Sequence, residues 1–223
     1  MKKYLPFILL GVGLIIVIGV IAFVVKGGKS SSSDQTAQEN IPDLPQSEWP
    51  VVTLAPTSDD RAPNSLGHFL DFKVQKINVP GAASMDYLLV YNTSDGGQQG
   101  VPGSVKLTGG DIERKLLLGS ESSGKFRYDA GVETGTITIT FRDSNGKSVG
   151  KKDVTFHLQS GVTELSSSDG LFKYTLDKVA KNVYFVTMPT LVQPDDASSY
   201  VVWQNGYGVF ASDGKPHTGK VSQ

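Results

Sequence analysis

The sequence predicts a mainly β protein: one transmembrane helix near the N-terminus, then an antiparallel β-sandwich with additional C-terminal strands. Three observations predict it. Residues 5–25 contain no charged or strongly polar side chain. Residues 26–47 are rich in Ser, Gln and Pro and carry no apolar periodicity. Beyond residue 48, short β-branched and aromatic runs recur between Gly, Pro, Asn, Asp and Ser, and no 3.6-residue period is held over three turns.

The apolar run is 21 residues long. At ~1.5 Å per residue it spans about 30 Å, the thickness of a bilayer's hydrocarbon core. The apolar core of a cleaved signal peptide is shorter and ends in small residues, whereas this run ends Phe23-Val24-Val25-Lys26. An uncleaved signal anchor behind a short tail (residues 1–4) is therefore expected. Lys2 and Lys3 precede the helix and Lys26 and Lys29 follow it. The two-lysine tail favours a single-pass protein of the cell membrane with its C-terminal domain extracytoplasmic. A type IV pilin-like subunit is set aside, because its Gly-Phe processing site and helical Glu are missing from the run.

The segment from Gly27 through the serines 30–33 to Asn40 cannot bury enough apolar surface to offset its ordering entropy, so residues 26–47 read as a flexible tether. Pro42, Pro45 and Pro50 stiffen its approach to the folded part. The chain has 21 basic and 22 acidic residues; four lysines lie ahead of Ser30, leaving 17 against 22, a net of −5. A mildly acidic outer portion speaks against a nucleic-acid partner, which needs clustered basic surface. With 0 cysteines, disulfides, thiol catalysis and common structural zinc sites are excluded. The composition suits a bacterial envelope protein.

The clearest strand is Thr136-Ile137-Thr138-Ile139-Thr140-Phe141, which alternates strictly and should turn Ile137, Ile139 and Phe141 to a core. Asn145-Gly146 follows, the preferred pair for a type I′ hairpin, and the return strand puts Val154, Phe156 and Leu158 on one face. Further strands are expected at 51–54, 70–74, 87–91, 105–107, 116–118, 172–176, 183–188 and 200–203. Residues 87–91 are apolar throughout, as in a strand covered on both sides. Seven such runs between 48 and 160 suit an immunoglobulin-like sandwich. Residues 161–223 are too few strands for a core of their own and should pack on the first part as a β subdomain. Ala83-Ser84-Met85-Asp86-Tyr87 and its sequel weakly echo Ala197-Ser198-Ser199-Tyr200 and its sequel, a pattern a duplication would leave.

Arg114-Lys115-Leu116-Leu117-Leu118-Gly119 through Phe126-Arg127-Tyr128-Asp129-Ala130-Gly131-Val132 reads like a family signature. With the anchor and the Pro-rich approach, the chain resembles uncharacterised single-anchor β-sandwich proteins of bacteria, from the anchor to about residue 160. The resemblance implies a fold and a location, and no activity.

Chemistry-bearing motifs are few. His68, His157 and His217 lie in different segments without partners at metal-ligand spacing. His157, between Phe156 and Leu158, should face away from the core. Ser-x-x-Lys occurs three times, at Ser122, Ser144 and Ser212, each in a Gly-containing turn and without the companion motifs of penicillin-interacting enzymes. Asp59-Asp60 and Asp195-Asp196 lack calcium-loop spacing. Asn92-Thr93-Ser94 fits the glycosylation sequon. No cofactor is expected. Tyr200, Trp203, Tyr207 and Phe210 cluster within eleven residues and are the candidate partner-binding side chains, either a stackable surface or the filling of a small core. The expectation is a non-enzymatic membrane-anchored protein that binds an envelope protein or a cell-wall glycan. The alternatives are an anchored enzyme with a fold-assembled Asp/Glu or Ser/Lys site, and an accessory subunit of a membrane complex.

Overall fold

Alternation decides which side chains this protein buries. In β8 (Thr134–Arg142), Ile137, Ile139 and Phe141 are fully buried, and in β9 (Ser148–Ser160) Val154, Phe156 and Leu158 share their face. Thr138 points the other way, where its hydroxyl donates to Asp153 at 2.6 Å. The computed structural model describes residues 41–222. The transmembrane segment and most of the tether read from the sequence lie outside the described residues. Among the described residues no helix is long and apolar enough to cross a membrane.

The fold is mainly β and its sheets are antiparallel. Seven strands form the largest sheet, in the order β13 (Val202–Gln204), β14 (Tyr207–Ala211), β12 (Tyr184–Pro189), β9, β8, β3 (Ser84–Asn92), β4 (Gln98–Lys106). A second sheet has the order β1 (Val51–Thr57), β2 (Phe69–Gln75), β5 (Ile112–Leu117). These two sheets share one core, in which Leu54, Leu70 and Phe72 of the smaller sheet meet Met85, Leu89, Phe141 and Phe156 of the larger. A third sheet, β10 (Glu164–Ser166), β11 (Lys173–Leu176) and β15 (Gly219–Ser222), has its own cluster, where Leu165, Phe172 and Tyr174 meet Phe185 and Val209. β6 (Gly119–Ser122) and β7 (Lys125–Tyr128) pair as a two-stranded sheet of their own.

The C-terminal strands do more than pack on the first part. β12 pairs with the end of β9, Tyr184 opposite Ser160 and Thr187 opposite His157, and so extends the large sheet. Its alternation sends Val186 and Met188 into the main core and Phe185 into the smaller cluster. The Met188 sulfur accepts the Leu54 backbone N–H at 3.3 Å, which ties β1 to this extension.

Three local expectations are corrected. Asn145-Gly146 is not a type I′ turn: only Gly146 has positive φ (80°), and Asp143 accepts the Gly146 N–H as in a type I turn, with a register shift between Phe141 and Arg142. The type I′ geometry belongs to Asn205-Gly206 (φ 54° and 77°), closing β13 on β14, and to Ser123-Gly124, closing β6 on β7. The apolar strand 87–91 is covered on one face only, since Leu88 is 42% exposed. The folded body also begins ahead of residue 48. Leu44 is buried over Gly150, where a Cβ would sit 2.5 Å from its side chain, and residues 42–44 run parallel to β9 through Leu44 N–H to Lys151 O (2.8 Å) and Lys151 N–H to Pro42 O (2.9 Å).

Candidate binding cleft

The aromatic cluster is not one surface. In β14, Tyr207 and Phe210 point to opposite faces, as alternation requires. Phe210 is 1% exposed in the main core and is withdrawn as a contact residue. Tyr207 stacks on Phe172 (centroids 5.3 Å apart, 13° between planes) and donates to Asp169 at 2.7 Å. Burial and the Asp169 carboxylate push its phenol up to about 12. Trp203 lies opposite Gly208 and donates its indole N–H to Thr190 O at 2.7 Å, while the Tyr200 hydroxyl accepts from Gln193 at 2.8 Å. Hydrogen bonds within the fold hold the three half-buried rings, and they form no common stacking platform.

What the fold does assemble is a cleft of about 450 Å³ at the end of the large sheet. Four separate segments line it: Gly67-His68 just before β2, Asp129 with residues 131–133 between β7 and β8, residues 157–160 with Val162 at the end of β9, and Tyr184 at the start of β12. Leu158 N–H to Glu133 O at 2.6 Å joins two of these segments, while Leu118 N–H to His68 O at 2.8 Å and Ser94 N–H to Ala130 O at 2.8 Å tie others to the residues just past β5 and β3. Gly67 is required here: its φ is +81°, and an added Cβ would lie 2.5 Å from the Tyr184 ring.

The polar groups of the cleft have defined roles. Asp129 accepts the Tyr91 phenol at 2.9 Å through Oδ2, and burial together with that carboxylate holds the phenol well above its ordinary value. Asp129 also lines a smaller neighbouring cleft of about 320 Å³ with Thr93, Ser120, Arg127 and Tyr128. His68 of the larger cleft stacks on Tyr128 of the smaller, with centroids 4.4 Å apart and planes 9° apart. Burial holds the His68 pKa below the ordinary 6.5, so its ring is neutral at pH 7. His157 faces away from Phe156 and Leu158, and its Nδ1 lies 2.8 Å from Ser166 O. A carbonyl only accepts, so Nδ1 carries a proton and donates it to Ser166 O.

The other sequence-level candidates are engaged elsewhere. Asp59 holds its neighbour Arg61 at 2.8 Å, Asp195 pairs with Lys76 at 2.6 Å, and Asp196 caps the turn Ala197–Ser199. All three Ser-x-x-Lys copies lie across turns. Among the described residues no group of three His, Asp or Glu side chains is placed to hold a metal ion. No motif announces the cleft, because its lining comes from positions over a hundred residues apart that only strand register brings together. Compared with protein-family models, curated proteins and solved structures, the chain gives no match.

Proposed function

We propose that this protein is a single-pass, membrane-anchored, non-enzymatic extracytoplasmic module that presents an immunoglobulin-like β-sandwich and binds a glycan of the cell envelope in the cleft beside His157. Strand order supports the sandwich reading: β1-β2-β5 faced by β9-β8-β3-β4 matches the A-B-E and G-F-C-C′ arrangement of that architecture, with β12, β14 and β13 added beyond the last strand. The 21-residue apolar run of residues 5–25 supports the anchor.

One observation carries the binding reading. The chain enters the described body at residues 42–44, beside Lys151, and the cleft lies at residues 157–160, the other end of the same strand. Nine residues of strand at ~3.3 Å each separate Lys151 from Ser160 by about 30 Å. The cleft is thus well clear of the point where the chain joins the described body. The lining suits a hydroxyl-rich ligand, with two carboxylates, two histidines, the Ser160 hydroxyl and the Tyr184 phenol around one cleft.

The test is co-sedimentation of the full-length protein, in non-ionic detergent, with insoluble envelope polysaccharide. Retention that falls at least fivefold for Asp129→Asn combined with Glu133→Gln supports the reading, and absence of retention contradicts it. A second reading is an anchored glycan-cleaving enzyme, favoured by the two carboxylates lining one cleft. Shortened chains in the supernatant would select it.

A further inference from the structure

The sequence holds two Asn-Gly pairs, and the fold sets them one turn position apart. In the type I turn Asp143-Ser144-Asn145-Gly146 the glycine comes last, and its N–H donates to Asp143 O at 3.0 Å. The Asp143 carboxylate tightens the same turn, accepting the N–H of Asn145 at 2.8 Å and that of Lys147 at 2.9 Å. In the type I′ turn between β13 and β14, Asn205 and Gly206 are instead the two central residues. A central N–H lies outside the hydrogen bonds that close a turn. Neither the Gly206 N–H nor the Asn205 carboxamide has a hydrogen-bond partner among the described residues, and Asn205 is exposed. Each of the other asparagines precedes a residue with a side chain, which crowds the following nitrogen.

We infer that Asn205 is a site of spontaneous covalent modification, converted through a succinimide to aspartyl and isoaspartyl forms. The Gly206 nitrogen gives its proton to hydroxide and attacks Asn205 Cγ. The N–Cγ bond forms, the Cγ–Nδ2 bond breaks, and Nδ2 takes a proton from water and leaves as ammonia. One water then opens the ring at either carbonyl, with nothing oxidised or reduced. Both products add a negative charge. Opening at the main-chain carbonyl also routes the backbone through Cβ and Cγ, which inserts one atom into a two-residue loop. At Asn145 the attacking nitrogen is held by Asp143 O, so the same reaction is slowed there.

The consequence falls on β13, a three-residue edge strand whose neighbour in the sheet is β14. Thr190 ties this strand to the turn. Its N–H donates to Gly206 O at 2.6 Å, and its carbonyl accepts the Trp203 indole N–H at 2.7 Å. A longer loop moves Gly206 off Thr190 and frees the indole, a slow and one-way loosening of the sheet edge.

The experiment ages the full-length protein in non-ionic detergent and mildly alkaline buffer for several days, beside a urea-unfolded sample. Peptide mass mapping reads each conversion as a gain of one mass unit, and chromatography separates isoaspartyl from aspartyl peptides. In the folded protein Asn205 should convert at least fivefold faster than Asn145, whereas in urea, where both turns are lost, the two rates should agree within twofold. Asp143→Ala, which loosens the type I turn, should at least double the rate at Asn145. Asn205→Gln should abolish the drift in tryptophan fluorescence that accompanies ageing. Equal rates in the folded protein, a faster Asn145, or conversion of Asn205 only after unfolding would each overturn the inference.

Discussion

Gly67→Ala tests how the cleft is held together. Gly67 has a φ of +81°, and an alanine in that left-handed region costs roughly 1–2 kcal/mol. Its methyl would also lie 2.5, 2.5 and 2.6 Å from three atoms of the Tyr184 ring, where ordinary contact begins at 3.4 Å. The ring must therefore retreat by about 1 Å. The backbone cannot follow, because Tyr184 donates its N–H to Ser212 Oγ at 3.0 Å and pairs with Ser160 of β9, so the half-buried ring must rotate off its packed position. Overpacking of this kind costs ~1–3 kcal/mol, so the variant should lose roughly 2–5 kcal/mol in all. For a folded unit of this size that is a fall in Tm of roughly 4–20 °C. The control is Gly96→Ala, with φ +79° and nothing within 4 Å of its added methyl, which should show the backbone cost alone. Trp49 and Trp203 report unfolding by fluorescence. Equal losses in the two variants would refute the Tyr184 contact.

Other perturbations probe separate parts of the molecule. The Thr187 hydroxyl is fully buried and has no hydrogen-bond partner among the described residues, so Thr187→Val should leave stability unchanged or raise it by up to ~1 kcal/mol in denaturant titration. Leu44→Ala should cost about 2 kcal/mol, the low end for a buried leucine at an edge, and should speed proteolysis near residue 44. The Arg61 guanidinium and backbone hold the Asp59 carboxyl far below its ordinary 3.8. A depressed acid stabilises the fold above its unfolded pKa, so this contribution is complete above about pH 4 and is lost as pH falls below it. Asp59→Asn should accordingly flatten the acid limb of a Tm-versus-pH curve, leaving a smaller drop between pH 4 and pH 2 than in the parent. Tyr207→Phe should remove one phenol from spectrophotometric titration near pH 12, where burial and Asp169 have moved it.

Much of the sheet framework was legible because its strands alternate strictly. The β8–β9 hairpin places Ile137, Ile139, Phe141, Val154, Phe156 and Leu158 as their alternation requires, since one face of both strands is buried. The strands β6, β7, β10 and β15 escaped notice because they are short and largely polar, so no period distinguishes Gly119-Ser120-Glu121-Ser122 from a loop. The two Asn-Gly pairs look alike in sequence, yet only Asn205-Gly206 joins strands of matching register; the register shift beside Arg142 forces a different turn at Asn145-Gly146. The echo between residues 83–92 and 197–205 separates in space as well, the first forming the long inner strand β3 and the second a 3-10 turn and a three-residue edge strand. At the candidate site the aromatic cluster was visible and the cleft was not. Tyr207 and Phe210 are three apart on a strand and so face opposite sides, whereas His68, Asp129, His157 and Tyr184 meet only through long-range pairing.

The most direct measurement uses the absence of native cysteine. Val162 lines the cleft and is 38% exposed, so Val162→Cys gives a thiol at its rim. Intact cells expressing this variant would be treated with a membrane-impermeant maleimide, with and without added soluble fragments of envelope polysaccharide. The account predicts labelling without permeabilisation and a labelling rate at least threefold slower when the sugar is present. Labelling only after permeabilisation, or a rate indifferent to the sugar, would contradict it.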